Sequence, residues 1–346
     1  MSDGARGRAR TAGARKTVSA GKADCVPEAA AGAAARSARP RDRDGDLTRG
    51  QVVAMLADLR RTLSERYGTP DEERLDAQWS EAQGSGAQRS DAARRRARLT
   101  IPVRFHALAA GRKGRLSRAS ARGQIATLNA AYSGRTGGAD TGVRFRLVGY
   151  DTTNKAAWFY HPQKYESPIK HRLRRGGRGT LNLYTASVGR DVLGFSTFPQ
   201  WYRKGPRMDG VVVDYRSLPH GTYRRFNRGY TAVHEIGHWL GLLHTFQGGC
   251  TPPGDGVSDT PYEATPAQGC PHYKDTCPQR GDDPVHNFMN YGFDSCMRSF
   301  TAGQGRRIRA AWAAYRAPKH RHGRGRRSVD RGTGEAGEAR SVGGAR

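Results

Sequence analysis

At 346 residues the chain holds one good-sized domain with accessory segments, or two small domains, and no apolar run approaches the length that spans a bilayer. Its 59 Lys and Arg against 31 Asp and Glu give a formal charge of +28, which implies attraction to anionic surfaces. Basic motifs interleaved with aromatics are missing, so nucleic acid is an unlikely partner in spite of the charge.

Much of the positive charge falls in residues 1–45 and 317–346. There Gly, Ala, Ser and Arg alternate without hydrophobic period, which reads as a disordered basic leader and tail. The first thirty residues show no apolar core of a signal peptide. Residues 46–98 read as a prosegment. In "DGDLTRGQVVAMLADLRRTLSERYG", Asp46 or Thr48 can cap a helix that carries Val52, Met55, Leu56, Leu59 and Leu63 at helical spacing. The polar stretch that follows ends in "RRRAR", an exposed linker suited to processing.

A folded domain is expected from residue 99. "LTIPVRFHAL" alternates as a strand, and "RASARGQIATLNAAYSG" is a helix with Ile125, Leu128 and Tyr132 on one face. "GVRFRLVGYDTT" places Val143, Phe145 and Leu147 on one side of a second strand, and "GTLNLYTAS" and "DGVVVDY" read as two more. This order predicts an α/β sheet backed by helices. Beyond residue 246 periodicity fades until "GQGRRIRAAWAAYR", a terminal helix.

Four of the five cysteines, Cys250, Cys270, Cys277 and Cys296, crowd into that irregular stretch, while Cys25 stands apart. They form no CxxC pair of a structural zinc site, so two disulfides and an oxidising compartment are expected. Spacing alone leaves three connectivities open.

The chemistry concentrates in "HEIGHWLGLLH", residues 234–244. His234 and His238, four apart on a helix, project from one face and can share a metal ion. Gly241 permits a turn that returns His244 as a third ligand. Three neutral imidazoles leave a tetrahedral zinc ion one open position for water, and Glu235 is placed to take that water's proton as it attacks a peptide carbonyl. Stacking as core histidines would leave Glu235 and Gly241 unexplained. The pattern HExxHxxGxxH defines metzincins, which also need a downstream methionine turn. "NFMNYGFDSCM" supplies one, with Met289 beneath the ligands and Tyr291 placed to stabilise the oxyanion.

With "GDGVSDTP", "DTC" and "FTAGQGRRIRAAW" added, residues 99–316 resemble the pappalysin family of metzincin zinc metalloendopeptidases, in its secreted bacterial and fungal branch. The resemblance implies an α+β fold. An upper subdomain of α/β type, about 99–244, would carry a twisted, mostly parallel sheet with an antiparallel edge strand and two main helices. A lower, irregular and disulfide-bonded subdomain, about 245–316, would carry the methionine turn. Substrate would pair with an edge strand, expected within "TLNLYTAS". The resemblance further implies disulfides Cys250–Cys277 and Cys270–Cys296, one catalytic zinc, and a structural calcium held by Asp255 and Asp259. It also implies a latency role for Cys25 as a zinc ligand in a zymogen, and a preference for basic residues after the cut through Asp294. Protein or peptide substrates and secretion follow from the same likeness. The alternative is a catalytically inactive or narrow-substrate relative serving as a basic surface-binding module; the intact His234, Glu235, His238 and His244 speak against it.

Overall fold

A computed structural model describes residues 23–25, 47–82, 98–189 and 192–317. Six strands form one sheet: β1 (Ala23–Cys25), β2 (Leu99–Ala109), β3 (Val143–Asn154), β4 (Leu181–Ala186), β5 (Gly194–Ser196) and β6 (Val211–Asp214). Their spatial order is β1-β5-β6-β4-β2-β3. β3, β2, β4 and β6 are mutually parallel, and β5 and β1 each run antiparallel to the neighbour before them.

Alternation along the strands sorts side chains to two faces. On one face Val103, Phe105, Leu183, Val211 and Val213 pack against helices α3 (Arg118–Tyr132) and α6 (Tyr230–Trp239). On the other, Leu108, Tyr184 and Val212 meet two short helices, α4 (Ala156–Tyr160) and α5 (Glu166–Leu173). β4 and β6 are buried along their whole length, as central parallel strands covered on both faces must be. α4 and α5 went unread in the sequence because five and eight residues are too few for a clean helical period.

Two sequence expectations need correction. "TLNLYTAS" holds β4, which sits between β2 and β6 and has no open edge to offer a substrate. Its unbroken apolar run marks an interior strand. The antiparallel edge belongs instead to β5, whose outer side is paired with β1. β1 itself lies inside the stretch read as a disordered leader. A strand three residues long needs only main-chain pairing, which composition does not register.

Below the sheet, residues 245–301 run without a helix or named strand, and disulfides Cys250–Cys277 and Cys270–Cys296 tie them together. The chain then enters α7 (Ala302–Ala311), opened by a capping box of Thr301 and Gln304 and followed by a π-helical turn, Trp312–Arg316. Ahead of β2, α1 (Arg49–Tyr67) and α2 (Glu72–Ala82) form a two-helix unit that packs on α7. Thr48 caps α1 in a capping box with Gln51, and Gly68 ends it at φ 73°. The "RRRA" of the processing sequence and the 317–346 tail beyond Ala317 lie outside the described residues.

Candidate active site

α6 is apolar almost all round, because the sheet, α3, the lower region and α7 enclose it, and His234 and His238 are 4% and 1% exposed. The helix stops at Trp239. Gly241, at φ 100°, then reverses the chain, and a Cβ there would also come within 2.8 Å of the Ala311 Cβ. Backbone conformation and space therefore both require glycine. The reversal returns His244 to its partners. Nε2 of His238 lies 3.1 Å from Nε2 of His234 and 3.1 Å from Nε2 of His244.

Main-chain oxygens decide which nitrogens are bare. Nδ1 of His234 donates to the Phe288 carbonyl at 2.6 Å, and Nδ1 of His238 donates to the Leu242 carbonyl at 2.8 Å. Burial holds both imidazoles neutral, His238 lowered to about 4 and His234 well below its usual value. Their Nε2 lone pairs thus face each other with no proton between them, an arrangement that a cation satisfies and a hydrogen bond cannot. Ligand atoms of His234, His238 and His244 all fall within 4.8 Å of one another, the one such cluster among the described residues. A d¹⁰ ion with tetrahedral preference and affinity for imidazole, zinc, fits this donor set.

Met289, Tyr291 and Glu235, also named from sequence, converge on the cluster. Met289 is fully buried, and its sulfur would lie 2.4 Å from a Cβ placed on Gly237, between the two helical histidines. The thioether therefore seats directly on the zinc helix, and Gly237 is what admits it. The Tyr291 hydroxyl lies 3.3 Å from Nε2 of His244, whose ring stacks on Phe246 at an interplanar angle of 10°. Glu235 is buried beside the cluster and faces Gly194 of β5, where a Cβ would come 2.7 Å from its carboxylate. Glu235 and β5 are in contact because residue 194 has no side chain.

A cleft next to Glu235 and His234 is lined by Leu193, Phe226, Tyr230, Tyr291, Asp294 and Met297. Asp294 accepts a hydrogen bond from the Arg228 amide at 2.7 Å, and burial pushes its carboxyl up to about 7. Cys25 pairs by main chain opposite Gly194, the glycine that rests on Glu235.

The acidic loop divides. Asp255 is buried, accepts from the Val257 amide at 2.9 Å, and is pushed up to about 7 by that burial. The buried Thr260 hydroxyl donates to the same carboxyl. Asp259 instead accepts from the Gly303 amide at 2.7 Å in the first turn of α7, a helix-end role.

Sequence reading missed the polar network that fixes the segments of His244 and Met289. Glu263, fully buried, accepts from the Thr245 hydroxyl at 2.9 Å and from the Asn290 amide at 2.8 Å and 3.0 Å. Lys274 donates to it at 3.1 Å. Thr245 follows the third histidine and Asn290 follows Met289, so one carboxylate ties both segments. At the far end of α6, Arg316 lies 3.5 Å over the Trp239 ring and donates to the Trp239 carbonyl and to Asp209. Glu263 and Arg316 stand among irregular or terminal residues, where no period signals burial.

Residues 194–313 match the Peptidase_M43 family, described as pregnancy-associated plasma protein-A. The chain is 40% identical over 228 residues to an extracellular metalloprotease of Arthroderma benhamiae, spanning 64% of this chain and 74% of that one. It is similar to mature mirolysin of Tannerella forsythia in complex with a cleaved peptide, at 27% identity and a TM-score of 0.54 over 61% of this chain and 90% of that one. A promirolysin mutant from the same organism is similar at 25% identity and a TM-score of 0.56, over 74% of this chain and 91% of that one.

Proposed function

The chain belongs to the pappalysin family of zinc metalloendopeptidases, and on that premise we propose that it cuts polypeptides laid along β5, with Glu235 as general base and a basic residue favoured after the cut. The observation that carries this reading is the convergence of three imidazoles, two with their Nδ1 protons committed to main-chain carbonyls, beside a buried glutamate.

His234, His238 and His244 would hold the zinc ion, which when bound would supply a Lewis acid for the scissile carbonyl and a water acidic near neutral pH. Glu235 takes that water's proton during attack and returns it to the departing amine. The Tyr291 hydroxyl donates to the oxyanion as charge develops there. β5 offers main-chain groups to an extended substrate, and because Gly194 touches Glu235 a peptide paired with this edge passes over the base. The next side chain enters the cleft, where apolar walls hold an aliphatic stem and Asp294 meets a basic end.

The same edge supports latency. β1 occupies it antiparallel and sets the Cys25 backbone opposite Gly194, so these three residues stand where substrate would lie, and one of them is a cysteine. A structural calcium at Asp255 is supported by its buried carboxyl, a hard oxygen donor beside the Thr260 hydroxyl; Asp259, engaged with α7, is the weaker ligand. Secretion is supported by the two disulfides and by relatives named as extracellular metalloproteases. Attachment to anionic surfaces rests on the charge of the terminal segments alone.

Glu235→Ala tests the mechanism. The processed variant should keep its fold and one zinc per chain while azocasein hydrolysis falls by about 10²–10⁴-fold. Unchanged hydrolysis would remove Glu235 from the reaction.

A further inference from the structure

Away from the cleft, one set of contacts has no part in the chemistry just described: the seat of α1 and α2 on the terminal helix. It has two halves. Leu59, Leu63 and Leu75 pack on Ala310, Ala311, Ala314 and Tyr315, while Leu47, Val52 and Leu56 meet Phe198 and Leu243. Around this apolar strip, three acids of α2 pair with three arginines of α7. Glu72 meets Arg307 at 2.6 Å, Glu73 meets Arg306 at 2.8 Å, and Asp76 meets Arg309 at 2.7 Å. The Arg309–Asp76 pair is bidentate, and the Tyr315 hydroxyl donates to Asp58 at 2.7 Å.

These are the properties of a docked partner rather than of a tether. The leucines of α1 are almost wholly buried, and a two-helix unit alone has no other apolar surface on which to hide them. Separation would uncover both sides at once and leave arginines without their acids on an already strongly basic chain. The connection to the catalytic sheet, residues 83–97, carries the "RRRA" of the processing sequence.

We propose that α1–α2 is a subunit in waiting: a cut within 83–97 leaves it docked on α7 without a covalent link, and through residues 26–46 it keeps β1 in the cleft. A first cut then nicks the chain without opening β5. A second, within 26–46, frees the cleft and leaves the two-helix unit bound to the active enzyme. The claim about β1 rests on the leader-strand latency proposed above; the docking does not. Leu243 precedes the ligand His244, and Phe198 lies 5.3 Å from the His238 ring, so the retained unit also backs the metal site.

The docking is tested in the full-length Glu235→Ala chain, with the recognition sequence of a specific protease placed within 84–92. After the cut, the two fragments should co-elute on size exclusion at about 0.15 M salt. Glu72→Lys, Glu73→Lys and Asp76→Lys together should weaken the association by at least about a hundredfold, so that the fragments part. Separation of the unsubstituted fragments would overturn the proposal. In the active chain, a second recognition sequence within 28–40 distinguishes the two claims. Peptidase activity appearing only after the second cut supports both. Co-elution with full activity after the first cut alone would keep the docking and remove the latency reading.

Discussion

The two halves of the metal site are held by different physics. His234 and His238 stand on α6, positioned by a regular helix pressed between sheet and terminal helix, and almost every neighbour is apolar. His244, Met289 and Tyr291 stand on irregular chain, positioned by one buried carboxylate, a series of main-chain hydrogen bonds and two disulfides. Where periodic structure can place a ligand, packing suffices. Where it cannot, polar groups must be buried and each must be satisfied.

Removing a ligand from either half should abolish the difference between them. His238→Ala or His244→Ala is expected to lose zinc and to lower azocasein hydrolysis by about a thousandfold or more, since both the Lewis acid and the acidified water go with the metal. Retained metal and activity in either variant would show that the three imidazoles do not act as one site.

The next largest effect should separate the halves by mechanism. Glu263→Ala strips Thr245, Asn290 and Lys274 of a common partner in a buried setting, and a loss of about 3 kcal/mol is expected in denaturant unfolding. Gly241→Ala forces a side chain into φ 100° and against Ala311, for a loss of about 2 kcal/mol. Zinc affinity should fall with both. A Glu263→Ala protein as stable as its parent would mean that the disulfides alone hold the lower half.

The smallest predicted effect concerns selectivity. Asp294→Asn should reduce the preference for arginine over leucine after the cut roughly tenfold, with hydrolysis of the leucine peptide little changed. Because burial raises Asp294 to about 7, the carboxyl is neutral below that pH and anionic above it. The preference for arginine should therefore grow between pH 6 and pH 8 in the parent and stay flat in the variant. An equal pH dependence in both would assign the selectivity elsewhere.

The same contrast explains what could be read from the chain in advance. The strands around Val103 and Phe145, the helix of Leu128 and the zinc helix carry a period of 2 or 3.6, and each lies in the sheet or on it. The histidines are legible because four-residue spacing and a glycine have direct geometric meaning. Glu263 and Asn290 are not, since a carboxylate in irregular chain looks the same whether solvated or buried. The edge strand was misplaced for a related reason: "TLNLYTAS" is the more strand-like run, but its apolar continuity is the mark of an interior strand, while β5 has only three residues. Gly194 and Gly237 carry no signal beyond their type, although each makes room for one site residue.

The most direct test of the metal site is azocasein hydrolysis by the processed protein before chelation, after it, and after adding back one equivalent of zinc. Activity lost with the chelator and restored at one zinc per chain is the predicted result. Hydrolysis that survives complete removal of the metal would contradict the account of His234, His238 and His244 as its catalytic centre.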